Sequence, residues 1–99
     1  MTAYVVSRVA IRDTQAMQRY VTEAAATVEA HEGRYLVRGG QVAALEGAWE
    51  DDRMVVVEFP TREAALAWYH SSAYRPLREL RQAAAATVIL LADGVQPTQ

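Results

Sequence analysis

The chain has 99 residues, 52% of them apolar, and a formal net charge of −2. That is one domain with ample material for a core, too rich in aromatic and β-branched residues to stay disordered. The near-neutral, scattered charge argues against nucleic acid, where a basic face supplies most of the affinity. There is no cysteine, so disulfides, thiolate chemistry and iron–sulfur clusters are excluded. All ten basic residues are arginine. Arginine suits bidentate contacts to carboxylates, although base composition explains the bias as simply. No secretory signal and no span long enough for a bilayer is evident, so a cytoplasmic protein without membrane contact is expected.

In chain order, Ala3 to Val9 reads as a first strand. Asp13 caps a helix whose stripe is Met17, Tyr20, Val21, Ala24 and Val28, and Gly33 is its natural stop. Arg34 to Arg38 is a second strand, with Gly39-Gly40 as a bulge or bend and Gln41 to Gly47 as its continuation. Glu50-Asp51-Asp52 makes a solvated turn. Arg53 to Phe59 is the third strand, ended by Pro60. Thr61 caps a helix over Arg62 to about His70. Ser71-Ser72 breaks it, and Pro76 favours a separate helix from about Arg75 to Ala84. Thr87 to Ala92 is the last strand. Residues 1–95 form the expected single domain, with 96–99 as a loose tail.

This order predicts an α+β fold, the ferredoxin-like β-α-β-β-α-β plait: a four-stranded antiparallel sheet with helices on one face. Arg53–Phe59 and Thr87–Ala92 are apolar at both odd and even positions, so both sheet faces need cover. The helices cover one face. A second copy of the chain is the expected cover for the other.

Several segments carry a family resemblance. Gly33 to Gly40, Leu45-Glu46-Gly47, Trp49, Glu58-Phe59-Pro60, Ala67-Trp68-Tyr69, Ser71, Tyr74, Pro76-Leu77 and Arg81 resemble the domain of unknown function 1330 family over nearly the whole chain. Glu32 stands where a glycine is expected, and Ser72 where proline is common. The resemblance implies a homodimeric α+β barrel closed through the open sheets, and no established activity. Related barrels include cofactor-independent monooxygenases and small-molecule isomerases or lyases, which is analogy at the level of fold.

Glu58 is the candidate catalytic residue. It shares a face with Met54 and Val56, so it points between subunits, either as a proton-transfer group or in an ion pair with an arginine such as Arg8. Arg38 is a candidate anchor for a ligand carboxylate, or a salt-bridge partner of Glu46 or Glu58. Glu46, Trp49, Tyr69, Ser71, Tyr74 and Arg75 complete the candidate ligand-binding set. Trp49, Tyr69 and Tyr74 wall a pocket for a flat molecule. Ser71 and Arg75 flank the helix break, where Ser71 alternatively caps. Trp68 is expected in the core and Tyr35 under the first helix. His31 and His70 sit at helix ends without metal-ligand spacing, so no metal and no cofactor is expected. The function read from these residues is a pocket for a small aromatic or carboxylated molecule. It serves a cofactor-free oxygenase, isomerase or lyase, or alternatively a non-catalytic binding module or a structural dimer.

Overall fold

The computed structural model describes residues 1–50 and 52–95; Asp51 of the acidic turn and the expected tail, 96–99, lie outside the described residues. The elements are β1 (Ala3–Ile11), α1 (Thr14–Ala30), β2 (Arg34–Arg38), β3 (Arg53–Phe59), α2 (Arg62–Tyr69), α3 (Arg75–Ala84) and β4 (Ala85–Asp93). The strands form one antiparallel sheet in the order β2-β3-β1-β4.

Local chemistry sets the helix starts. The Asp13 carboxylate accepts from the Ala16 amide at 3.1 Å, and the Thr61 hydroxyl from the Ala64 amide at 3.0 Å. At the α2–α3 break the Ser71 hydroxyl donates to the Trp68 carbonyl at 2.8 Å and accepts from the Tyr74 amide at 3.2 Å. Proline in the first turn of α3 then needs no amide partner.

Strand register sorts the side chains. Val5, Ser7 and Val9 share the helix face with Val55, Val57, Phe59, Ile89 and Leu91. Tyr4, Val6, Arg8, Met54, Val56, Glu58, Val88 and Leu90 share the open face. On that face Val88 is 44% and Leu90 59% exposed.

Three local expectations are corrected. The residues from Gln41 to Gly47 form no strand. Gly39 takes φ +73°, which turns the chain off the sheet after one last bond from its amide to the Met54 carbonyl at 2.9 Å. The bulge lies at Leu36 and not at Gly39-Gly40: Tyr35 pairs with Val57, but Val37 pairs with Val56. The extra residue puts Tyr35 and Arg38 on the same, helix-covered face. Finally, Glu32 takes the left-handed turn after α1 (φ 64°). Gly33 is needed for a different reason. A Cβ there falls 2.6 Å from Val28 Cγ1 and 2.7 Å from Phe59 Cε1. Gly33→Ala is expected to destabilise by about 1–3 kcal/mol through overpacking, seen as a lower urea midpoint with unchanged slope.

Candidate functional site

The apolar core is divided. Val5, Val28, Val57, Phe59, Trp68 and Leu77 belong to one cluster; Val9, Met17, Ala84 and Ala85 form another; Tyr20 packs against both. Between them, under α1 and α3, lies a cavity of about 50 Å³. Ser7 explains the gap. It occupies a helix-facing position between Val5 and Val9 on β1, with Val55 and Ile89 beside it, and its side chain is too short to fill the space.

Tyrosine and arginine surround this space. The Tyr20 and Tyr74 hydroxyls share a hydrogen bond of 2.6 Å. Tyr74 is fully buried and lies against Trp68, with ring centroids 4.2 Å apart. Burial, and then the neighbouring Tyr74, push the Tyr20 phenol far above its ordinary pKa, so it stays protonated. Arg81 reaches in from α3. It is only 4% exposed, and its Nε has no hydrogen-bond partner. Its Cζ stands 6.0 Å from the Tyr20 ring centroid.

Burial works against the Arg81 charge, yet the Tyr74 phenol, by charge and by hydrogen bonding, and then Tyr20 and Tyr69 outweigh it and hold the guanidinium pKa above the usual arginine value. At neutral pH phenols carry no charge. Arg81 is therefore a buried cation without a counter-charge. Among the described residues no carboxylate lines the cavity or pairs with Arg81. A cation so placed costs several kcal/mol unless something neutralises it.

The cavity wall continues through Tyr35, Arg38 and Arg53. Burial raises the Tyr35 phenol pKa, while Arg38 and Arg53 oppose the rise. Arg38 donates to the Val21 carbonyl at 2.7 Å and lies 4.4 Å over the Tyr35 ring. The Leu36 bulge is what turns Arg38 to this side.

Of the residues singled out from sequence, Arg38 and Tyr74 meet in the cavity. Glu58 does not: it is on the open face, paired with Arg34 at 2.9 Å, while Arg8 pairs with Asp52 at 3.4 Å. So the expected pairing of Glu58 with Arg8 is replaced by Arg34, and Arg38 contacts neither Glu46 nor Glu58. Glu46 is exposed between β2 and β3. Trp49 is half-buried in a groove with Gly39, Gly40 and Arg53, outside the cavity. Tyr69 lies under the Arg78 guanidinium at 4.9 Å and lines a groove at the β4 edge beside Arg81. The Ser71 hydroxyl is engaged by backbone, and exposed Arg75 faces Glu79 at 3.9 Å. Trp68 is core, as expected, and cavity wall as well. His31 caps α1 by bonding the Thr27 carbonyl at 3.0 Å. Among the described residues, no group of three or more His, Asp or Glu could hold a metal ion, and no helix is long and apolar enough to cross a membrane.

Arg81, Tyr20, Arg53 and Ser7 were not predictable as a site from any motif, but two signals were present. Arg81 stands at helical spacing with Leu77 and Ala84, a charge inside an apolar stripe. Ser7 interrupts a core-facing row. Tyr35, Arg38, Trp68, Tyr74 and Arg81, all within the segments that carry the family resemblance, converge on this one cavity.

Comparison with known proteins agrees with the fold. A protein of unknown function from Rhodopseudomonas palustris, RPA0582, superposes with a TM-score of 0.78 at 18% identity, over 97% of this chain and 84% of that one. SnoaB, a cofactor-independent oxygenase from Streptomyces nogalater, gives 0.69 at 14% identity over 96% and 94%. A dimeric ferredoxin-like protein of unknown function from Jannaschia sp. CCS1 gives 0.66 at 15% identity over 95% and 100%. No curated protein matches the chain. A four-stranded antiparallel sheet with helices on one side, and a match spanning residues 2–95, place the chain in the family described as Domain of unknown function (DUF1330).

Proposed function

We propose that this chain is a homodimeric binding protein for a small organic anion, held in the cavity between the sheet and α1 and α3. One observation carries the reading: Arg81 is buried beside open space with its Nε unpartnered and, among the described residues, no carboxylate pairing with it or lining the space. An anion supplies the missing counter-charge, and the one phenol proton of the Tyr20–Tyr74 pair not used in their mutual hydrogen bond is a further donor to it. The size of the space limits the guest. About 50 Å³ is a third of the roughly 150 Å³ cavity that takes up benzene, so a carboxylate with a few carbons fits and a ring requires side chains to move aside.

Isomerase and lyase chemistry needs a proton acceptor at the substrate. The described lining has neither carboxylate nor imidazole, and burial raises the Tyr20 and Tyr35 phenols, the wrong direction for a base. The arrangement therefore supports binding ahead of catalysis. Dimerisation is supported by the apolar open face, including Val6, Met54, Val56, Val88 and Leu90, and by the dimeric Jannaschia relative.

Thermal denaturation with a panel of acetate, propionate, butyrate, crotonate, succinate, fumarate and benzoate tests the binding. A ligand at a hundredfold excess over its Kd contributes about 2.7 kcal/mol, a rise in Tm on the order of 10 °C for a domain of this size. No shift with any member of the panel would sink the proposal.

A further inference from the structure

The cavity has a second cationic wall. Arg53 opens β3 and is half-buried; it lines both the cavity and the outer groove beneath the segment between β2 and β3. Its guanidinium lies flat against Gly39, where a Cβ would fall 2.5 Å from Cζ and 2.7 Å from Nε. Gly39 is required by its positive φ, and the Arg53 guanidinium lies close beside it.

Among the described residues no acidic partner accounts for the Arg53 guanidinium: the one described carboxylate in the groove, Asp52, faces Arg8 at 3.4 Å, and Arg53 makes no ion pair. Position in the sheet separates Arg53 from Arg81. Arg53 and Thr87 both pair with Val9, from opposite sides, two strand spacings or about 9.5 Å apart. Thr87 lines the β4-edge groove with Arg81, and its hydroxyl is the other buried polar atom without a partner. Arg81 therefore closes the cavity on the β4 side and Arg53 on the β3 side.

Resting on the anion-binding reading above, we propose that the natural ligand carries two anionic groups, one received by Arg81 at the buried end and the other by Arg53 at the outer end. A short dicarboxylate has this shape. Its inner carboxylate and first carbons occupy the cavity, and its outer carboxylate reaches the groove. A monoanion leaves the Arg53 guanidinium unmatched.

The test is calorimetric titration of the full chain in low salt with paired probes, succinate against butyrate and fumarate against crotonate. Each dianion is expected to bind about tenfold more tightly than its monoanion, the effect of one further charge-assisted contact. Arg53→Gln is expected to remove that preference without changing the sedimentation coefficient; Arg53→Met serves if the first variant folds poorly. Equal affinities within each pair overturn the second anchor and leave the anion site standing. Failure of all four probes to bind overturns the two-anchor proposal, and failure of acetate, propionate and benzoate as well overturns the anion site itself. A dianion preference that survives Arg53→Gln also overturns the assignment, as does a variant whose only change is in assembly.

Discussion

Replacing Arg81 by methionine is expected to raise the melting temperature of the ligand-free protein and to abolish its response to anions. The two effects have one cause. In the empty protein Arg81 is a buried charge whose Nε has no partner and whose neighbours are neutral phenols. Exchanging buried ionic groups for apolar residues of similar volume is often neutral or stabilising by about 1–4 kcal/mol. Methionine keeps an unbranched stem that packs against Tyr20 and Tyr74 and removes the desolvated cation. Even 1 kcal/mol moves Tm by roughly 4–8 °C in a domain of this length. A purely structural arginine gives the opposite result, because losing its packing and its contact with the tyrosines lowers Tm. Differential scanning calorimetry with and without ligand reads both quantities. A lower Tm for Arg81→Met, or an unchanged response to the anion, defeats the site.

Leu90→Glu is expected to convert the proposed homodimer to monomers while leaving each monomer folded. In one chain Leu90 is 59% exposed on the open face, opposite Val6 of β1, so little intrachain packing is lost. In the proposed homodimer the same face is covered by the partner. A buried leucine contributes about 1.5–3 kcal/mol, and a twofold interface loses it twice, so the change is about 3–6 kcal/mol before the penalty for burying carboxylates. That corresponds to at least a hundredfold rise in the dimer dissociation constant by roughly 1.4 kcal/mol per decade. Sedimentation velocity at micromolar concentration measures it. An unchanged sedimentation coefficient, or a wild-type chain that is already monomeric, rules out this interface.

Much of the plait was readable from residue order. The doubly apolar Arg53–Phe59 run, the cap residues Asp13 and Thr61, and the Ser71–Pro76 break each act within a few residues, and each appears where its chemistry requires. What escaped depends on two strands at once. The bulge at Leu36 exists only relative to Val56 and Val57, and it decides which face Arg38 takes. Strict alternation across β2 would put Arg38 on the face of Glu58, whereas the two lie on opposite sides of the sheet. The site escaped for a related reason. Tyr20 and Trp68 follow helical spacing as any core residue does, and only assembly of α1, α2 and α3 over Ser7 leaves a space among them. The lone charge in the Leu77–Ala84 stripe and the serine in the Val5–Val9 row were the two local clues.

A hydrophobic interior split in two by a charged void has a consequence for the lifetime of the molecule. The clusters around Phe59 and around Met17 are bridged by Tyr20, and the void withholds contacts that a continuous interior of the same size would have. Whatever fills the void adds folding free energy in proportion to the logarithm of its concentration. On the binding reading proposed above, a chain starved of its guest visits unfolded conformations more often and is degraded sooner by proteases, and a well-supplied one persists. Turnover of the polypeptide then tracks metabolite supply with no dedicated regulatory element.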